Sequence, residues 1–466
     1  MLKRVLQLAL LTAVLTSKAE DAPPLYSSAL ILGTPHVVEK EDFCGEATAE
    51  MFLRKLGENM DQDYVFDRAG VDPVEGRGLD ASELAKSLTR IGFEIGKIWG
   101  PVETENELES EFAALHEDLA SGVPSIVLMR ASTDDPTEHF HLVLGYDGVA
   151  DEVIYHDPSV LDGAYRRMAR EEFLDLWSIQ GRYQWGVVRL RLDPRAIEYG
   201  DAADANTPAD FAQHVMRLRK IVPQGFTIAV EPPFVIVSDA HPVEVAAYAH
   251  GTIRRAVALL KKDFFARDPK EIVDIWLFSD NDSYTEHTRR VFGESPDTPY
   301  GFYSREHRAI VINIATGGGT LVHEIVHPLI AANFPSSPPW FDEGLASLYE
   351  YPTAVDGHIR GLVNWRLPTL KAAIALGELP TFEWLTSRTD EQFYGADPGT
   401  NYAEARYLCY YLQQRGMLVD YYHAFYEARA EDPTGYRTLL RVLGVEADAH
   451  FERDWSSWIL GLKQAR

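Results

Sequence analysis

The sequence predicts an α+β protein built from two domains. The chain is 466 residues long, well beyond the roughly 100–150 residues of a typical single domain. Residues 198–210 form a short polar segment almost free of large apolar side chains, which is typical of an interdomain linker. On both sides of this segment the patterns include helices as well as strands. We therefore predict a first domain at 28–193, a linker at 198–210 and a second domain at 211–466.

Helix and strand patterns alternate through the first domain. The sequence Asp80-Ala81-Ser82-Glu83 is an aspartate variant of the capping box and predicts the start of one helix, and Asn106 is the predicted N-cap of another. The predicted helices cover 45–60, 80–91 and 106–119, and the predicted strands cover 124–129, 139–146, 152–156 and 184–192.

Strand patterns come early in the second domain and helix patterns come late. Thr207 followed by Pro208 predicts a helix start. From Thr320 onward the pattern is almost entirely helical, which together with the early strands indicates a small sheet and a mainly helical C-terminal part. The predicted strands cover 234–237, 272–278 and 309–314, and a long amphipathic helix is predicted at 242–262.

Composition and charge exclude several classes of protein. Hydrophobic residues make up 46% of the chain and charged residues 25%, which excludes a disordered, collagen-like or polytopic membrane protein. With 71 acidic and 44 basic residues the net charge is −27, so we expect no nucleic-acid partner. The two cysteines, Cys44 and Cys409, exclude a multi-cysteine metal site and allow one disulfide at most.

Residues 1–19 have the pattern of a signal peptide. Lys3 and Arg4 precede an apolar run at 5–16, and Ser17-Lys18-Ala19 offers a cleavage site. A run of this length is short beside the roughly 20 residues that a membrane span needs. We therefore expect an exported protein, periplasmic or extracellular, without stable membrane insertion after cleavage. An uncleaved anchor helix is the alternative.

A metal-site pattern lies in the second domain. His323-Glu324-Ile325-Val326-His327 has the form HExxH, and positions i and i+4 of a helix share one face, so both imidazoles can reach one metal ion. Glu324 would lie beside them as a general base. Glu343, sixteen residues after His327, can supply a third ligand. Two imidazoles and one carboxylate with an open fourth position are a catalytic zinc shell, so we expect one Zn²⁺ per chain.

This pattern resembles the gluzincin metallopeptidases. Trp340-Phe341-Asp342-Glu343-Gly344-Leu345-Ala346 is similar to the third-ligand sequence of their aminopeptidase branch. The resemblance implies that Tyr402, within Asn401-Tyr402-Ala403-Glu404, donates a hydrogen bond to the oxyanion; an ordinary helix-face tyrosine is the alternative. The aminopeptidases hold the free substrate amine with Gly-Ala-Met-Glu-Asn, which has no evident counterpart in this sequence. The choice between endopeptidase and exopeptidase therefore stays open.

Cys44 is the candidate nucleophile of the first domain. It stands before a predicted helix, whose N-terminus favours a thiolate, and His139 and Asp157 follow in the order of a papain-like triad. The set is similar to the papain-like peptidases that cleave double-glycine leaders. The Gly-Tyr-Asp sequence after the histidine aligns His139 rather than His141 with the catalytic position.

Two positions of the first domain depart from that family. Glu39 stands where the family has its oxyanion-hole glutamine, and a carboxylate would repel an oxyanion. Glu46 stands in place of proline and adds negative charge beside Cys44. An active peptidase and a degenerate, peptide-binding domain are both open, and a Cys44–Cys409 disulfide is a third option.

Together these patterns predict an exported zinc-dependent peptidase that acts on a peptide or protein substrate. Its papain-like first domain would either cleave or only bind peptide. The rival is a non-catalytic peptide- or protein-binding protein whose peptidase domains are both degenerate.

Overall fold

The computed structural model describes residues 25–181, 184–197, 206–293, 295–395, 398–445 and 449–463. The predicted signal peptide and residues 198–205 of the predicted linker lie outside the described residues. Among the helices that are described, none has the length and apolarity that crossing a membrane requires.

The described chain divides into two compact units. The first contains residues 25–65 and 80–197, and the second contains residues 66–79 and 206–463. The segment 66–79, which falls inside the predicted first domain, thus belongs to the second unit. Hydrogen bonds explain this, because the Arg219 guanidinium donates to the carbonyls of Val74 and Glu75 at 2.9 and 2.7 Å.

The first unit contains an antiparallel sheet. Its strands run in the order β3-β9-β4-β5-β6-β7, with β1 added to β5 and β8 added to β9. Helix α1 packs on β5. The strands are β1 (Ala29–Leu30), β2 (Phe93–Glu94), β3 (Trp99–Pro101), β4 (Ser125–Arg130), β5 (Glu138–Asp147), β6 (Glu152–His156), β7 (Arg166–Ala169), β8 (Ile179–Gln180), β9 (Trp185–Arg191) and β10 (Asp193–Pro194). The helices are α1 (Cys44–Lys55), α2 (Gln62–Ala69, which ends in the second unit), α3 (Ala81–Ile91), α4 (Glu105–Ala120) and α5 (Arg170–Trp177).

Capping side chains determine where several helices begin. Asp80 accepts from the amides of the first turn of α3 and Glu83 accepts from the Asp80 amide, so the predicted capping box is confirmed. The prediction of Asn106 as an N-cap is wrong, because Thr104 caps α4 two residues earlier. Helix α1 ends at Lys55 rather than at the predicted residue 60, since Gly57 follows with φ of 88°, a left-handed conformation that stops a helix.

The second unit contains a mixed sheet and a large helical part. Its strands are β11 (Thr227–Glu231), β12 (Phe234–Ser238), β13 (Val273–Phe278), β14 (Gly301–Ser304), β15 (Ala309–Asn313), β16 (Pro352–Val355) and β17 (His358–Gly361). Its helices are α6 (Pro208–Arg219), α7 (Pro242–Ala247), α8 (Arg254–Asp263), α9 (Asn281–Phe292), α10 (Gly319–Asn333), α11 (Pro339–Leu348), α12 (Leu367–Leu376), α13 (Phe382–Thr386), α14 (Asp390–Phe393), α15 (Pro398–Gln414), α16 (Leu418–Ala428), α17 (Tyr436–Leu443) and α18 (Ala449–Gly461). The Thr207–Pro208 helix start is confirmed, and the long helix predicted at 242–262 is helical throughout, with a π-helical turn at Tyr248–Ile253 between α7 and α8.

The five-stranded sheet of this unit has the order β11-β12-β13-β15-β14. Strands β12, β13 and β15 are parallel, and the two outer strands are antiparallel to their neighbours. Because side chains alternate between the faces of a strand, Ile236 and Ile275 pack with α10, whereas Val235 and Trp276 pack with α6. Both faces of the sheet are therefore covered by helices.

Glycine allows the close packing of α11 against α15. A Cβ at Gly344 would lie 2.9 Å from the Ala405 carbonyl oxygen and 3.1 Å from the Cys409 sulfur. Helix α11 also packs against α10. The three helices thus bring side chains from distant parts of the sequence to one place.

Candidate functional sites

Helices α10 and α11 bring together the three predicted metal ligands. His323 and His327 lie one turn apart on α10, and Glu343 projects from α11. Glu343 Oε2 lies 3.3 Å from His323 Nε2 and 3.9 Å from His327 Nε2. One ligand atom from each residue lies within 4.8 Å of the other two, and the exposed fraction of His323 and Glu343 is only 7% and 5%. The three residues form a compact, buried donor set.

Carboxylates lie on the far side of both imidazoles. Asp342 Oδ1 lies 2.9 Å from His327 Nδ1, which leaves Nε2 to face Glu343. A carboxylate–histidine hydrogen bond of this kind fixes the tautomer and orientation of a metal-binding imidazole. Glu350 Oε1 lies 3.6 Å from His323 Nδ1, beyond hydrogen-bond distance, and is held by a bidentate ion pair with Arg366.

The residues present fit a zinc ion. Glu343 Oε1 accepts a hydrogen bond from the Tyr394 hydroxyl at 2.9 Å, whereas Glu343 Oε2 is buried without a hydrogen-bond partner in the described structure. Leaving a buried carboxylate oxygen unsatisfied is unfavourable, and a cation between it and the two imidazoles would satisfy it. Two imidazole nitrogens and one carboxylate oxygen are the donors of catalytic zinc sites.

Glu324 and Tyr402 lie beside this donor set. Both line a cleft of about 510 Å³, together with His323, Thr298, Tyr300 and Trp365. Glu324 Oε2 is 3.9 Å from His327 Nε2, and the Tyr402 ring stacks near His323 with 6.5 Å between centroids. Burial, followed by the negative charge of Glu343, raises the pKa of Tyr402 far above its ordinary value. The structure therefore places the Glu324 carboxylate and the Tyr402 phenol in the same cleft, beside the three donor residues.

Opposite charges dominate the electrostatics of this cluster. Burial opposes the charged form of His327, yet Asp342 and Glu343 raise its pKa to about 10. Burial raises the pKa of Glu343, but the two imidazoles outweigh it and lower that pKa to about 2. The carboxylates thus stabilise the charged imidazole of His327, and the imidazoles stabilise the charged carboxylate of Glu343, in a site that is nearly free of solvent.

Four residues of this site were not recognised as such in the sequence. The sequence patterns do not single out Glu350, Arg366 or Tyr394, and Asp342 enters them only as part of the stretch around the third ligand. The position of Asp342 immediately before the third ligand was the one available signal. The contacts of the other three depend on how separate segments pack.

In the first unit, helix α1 and strand β5 bring together two of the three predicted triad residues. Cys44 is the first residue of α1. Ligand atoms of Cys44, His139 and Glu39 all lie within 4.8 Å of one another. Gly45 is needed here, because a Cβ would lie 3.0 Å from the Phe140 ring.

Asp157, the third predicted triad residue, contacts a different histidine. Asp157 Oδ1 lies 3.8 Å from His141 Nε2 and accepts from the Ser159 hydroxyl at 2.6 Å. Arg166 adds an ion pair at 3.5 Å. His139 Nδ1 is buried and has no hydrogen-bond partner among the described residues. The structure therefore brings Cys44 within 4.8 Å of His139 but places Asp157 beside His141, on the same face of β5.

The surroundings of Cys44 disfavour its thiolate. Burial raises the pKa of Cys44 to about 12. The backbone amide of Phe140 opposes this shift, whereas the negative charges of Glu39, Glu46 and Asp42 add to it. The partial positive charge at the N-terminus of α1 does not offset the rise in the Cys44 pKa that burial and the nearby carboxylates cause. The surroundings of Cys44 therefore favour the neutral thiol over the thiolate.

Alkylation of Cys44 by iodoacetamide should accordingly be slow in chelator-treated protein. A pKa near 12 instead of 9 lowers the thiolate fraction at pH 7 about a thousandfold. The rate, followed by mass spectrometry in a Cys409→Ser background, should rise about tenfold per pH unit as the thiol ionises. Glu39→Gln should accelerate it, and the urea-unfolded protein is the control. Rapid alkylation at pH 7 that depends on His139 would contradict this view of the site.

Both cysteines have free thiols. Cys44 is half-buried and Cys409 is fully buried. The Cys44–Cys409 disulfide considered from the sequence is therefore not formed in this structure.

Comparisons with known proteins found similarity within the first unit. The model of a family described as "Peptidase_C39 like family" matches residues 30–184. Among solved structures, the chain is similar to the peptidase domain of Streptococcus ComA, a bifunctional ABC transporter involved in a quorum-sensing pathway. The identity is 19%, the match covers 35% of this chain and 100% of that chain, and the TM-score is 0.25. No curated protein matches the chain. Residues 30–184 therefore form a domain similar to the C39 family of papain-like cysteine peptidases.

Proposed function

We propose that the protein is a zinc-dependent peptidase whose second unit hydrolyses peptide bonds of a peptide or protein substrate. The observation that supports this most directly is the convergence of His323, His327 and Glu343 within 4.8 Å, with His323 and Glu324 lining an adjacent cleft. The signal-like segment 1–19 supports export as part of the same proposal.

His323, His327 and Glu343 would hold the ion. When bound, zinc supplies a Lewis acid that polarises the scissile carbonyl and promotes attack by water. Glu324 accepts the proton of the attacking water and passes it to the leaving amine. The Tyr402 hydroxyl donates a hydrogen bond to the oxyanion that develops on the former carbonyl.

The other side chains of the site position these groups. Asp342 holds His327, and Glu350, itself fixed by Arg366, lies behind His323. The guanidinium of Arg366 also lies 4.3 Å from the Trp365 ring centroid and 4.9 Å from that of Tyr402. This network supports one wall of the cleft, so that the catalytic side chains need little rearrangement when a substrate binds.

The C39-like domain contributes peptide binding in this proposal, rather than a second hydrolysis. A papain-like mechanism needs a thiolate, an oriented imidazole and an oxyanion donor. Burial raises the pKa of the Cys44 thiol to about 12, Asp157 lies 3.8 Å from His141, and Glu39 stands where the resembled family has its oxyanion-hole glutamine. These three features favour non-covalent recognition of a peptide.

Metal analysis and peptide cleavage test the proposal. His323→Ala should lose about one zinc ion per chain relative to wild type, because two remaining ligands hold zinc poorly, and it should lose cleavage of a mixed peptide library. His423→Ala, an exposed histidine on α16, is the matched control and should retain both properties. Wild-type zinc content and cleavage in His323→Ala would refute the proposed site.

A further inference from the structure

A second set of metal-type donors lies in the first unit. Glu39, Cys44 and His139 offer a carboxylate oxygen, a thiol sulfur and an imidazole nitrogen, all within 4.8 Å of one another. Metal–ligand distances of about 2.0–2.3 Å place tetrahedral ligands about 3.3–3.8 Å apart. Small side-chain movements would therefore let the three atoms bind one ion.

Two of these donors have atoms without partners. Glu39 Oε2 and His139 Nδ1 are both buried and make no hydrogen bond within the described structure. Buried polar atoms are normally satisfied, and each exception requires an explanation. Asp157, which would orient His139 in a working triad, is instead bound to Ser159 and Arg166. The imidazole is thus available to another partner.

The backbone holds the three donors in place. The Glu39 amide donates to the Pro158 carbonyl at 3.0 Å, which ties the segment before α1 to the end of β6. Cys44 begins α1, and His139 lies in β5, where it pairs with Met129 of β4. A site built from a helix, a strand and an anchored loop loses little conformational entropy when an ion binds.

The charge around the donors favours a cation. Glu39, Glu46 and Asp42 all act on Cys44 with negative charge, and Glu46 is fully buried. These charges oppose both a free thiolate and an oxyanion, the two anions that a cysteine peptidase must stabilise. They have the opposite effect on a divalent ion, which would neutralise the carboxylates and replace the thiol proton.

We propose that Glu39, Cys44 and His139 bind one transition-metal ion of the zinc class, in a site separate from the one in the second unit. Sulfur, nitrogen and oxygen donors are those that zinc uses in proteins. The ion would bind the thiolate and the imidazole that papain-like chemistry requires. The C39-like domain would then use these residues to bind a metal ion rather than to cleave peptides.

Cobalt substitution of the full-length protein tests this site selectively. After chelation, addition of Co²⁺ should produce the near-ultraviolet absorption of a cobalt–thiolate bond, which the His-His-Glu set of the second unit cannot produce. Cys44→Ser should abolish this absorption. The matched variant Cys409→Ser, and His323→Ala, which disables the other proposed site, should both retain it.

Two further variants separate a built site from a thiol that binds metal by itself. Glu39→Gln and His139→Ala should each weaken Co²⁺ binding at least tenfold, because each removes a direct ligand. Stoichiometric Zn²⁺ should also protect Cys44 from alkylation in wild type and not in Glu39→Gln. Circular dichroism establishes that each variant is folded. Absence of the Cys44-dependent absorption, or unchanged Co²⁺ affinity in both Glu39→Gln and His139→Ala, would overturn the proposal.

Discussion

Glu324→Gln should lower kcat for the best peptide of the library by about 10²–10⁴-fold while the zinc content stays at the wild-type level. The amide has nearly the shape of the carboxylate but cannot accept a proton from the attacking water. Glu324 is not among the three converging ligand residues, so its replacement should leave the ion in place. Zinc is measured by elemental analysis and kcat by progress curves on the same samples.

Glu404→Gln provides the matched control for this change. Glu404 is a buried glutamate of the same unit, and burial raises its pKa well above the ordinary value, which favours the uncharged acid. The amide of Glu404→Gln is also uncharged and has nearly the same shape, so we expect wild-type kcat. Full hydrolysis by Glu324→Gln would remove Glu324 from the mechanism, and zinc loss in that variant would make it a ligand instead.

Tyr402→Phe should lower kcat by about 10²–10³-fold at saturating zinc, the usual effect of removing one oxyanion donor. Tyr402 lines the cleft beside His323, where the proposal has its hydroxyl donate to the oxyanion. The measurement is kcat and KM for one peptide, together with zinc affinity from a chelator competition.

Tyr394→Phe separates catalysis from support of the ligand. Tyr394 donates to Glu343 at 2.9 Å, but it is not among the residues that line the cleft. Its loss should mainly weaken zinc binding and should lower kcat at saturating zinc by less than about tenfold. If the two tyrosine variants have the same kcat and the same zinc affinity, Tyr402 only supports Glu343 and is not an oxyanion donor.

Local sequence signals predicted much of the secondary structure. The capping box at Asp80, the Thr207–Pro208 helix start and the strands around 139–146 and 152–156 are all present in the structure. These predictions succeed because a helix cap, or the alternation of apolar and polar residues in a strand, involves only neighbouring residues. Asn106 shows the limit, since Thr104 competes for the same amide groups and caps the helix first.

The two candidate sites likewise combine features that the local sequence predicts with contacts that depend on tertiary packing. The spacing of His323 and His327 determines by itself that both imidazoles lie on one face of a helix, because the helical period is local geometry. The pairing of His139 with Cys44, and of Asp157 with His141, depends instead on how α1 packs on β5 and on the position of the chain after β6. Histidines two residues apart on a strand share a face, so the sequence could not indicate which of them Asp157 contacts.

The sequence alone determined the α+β character, the HExxH helix and the likeness of the first domain to papain-like peptidases, since each rests on residues close together in the chain or on a shared pattern. Tertiary structure decided that Glu343 faces both imidazoles, that Asp342 and Glu350 lie behind them, and that segment 66–79 belongs to the second unit. The physical reason is that contacts between distant segments depend on close packing. At Gly344, for example, the absence of a Cβ lets α11 approach α15.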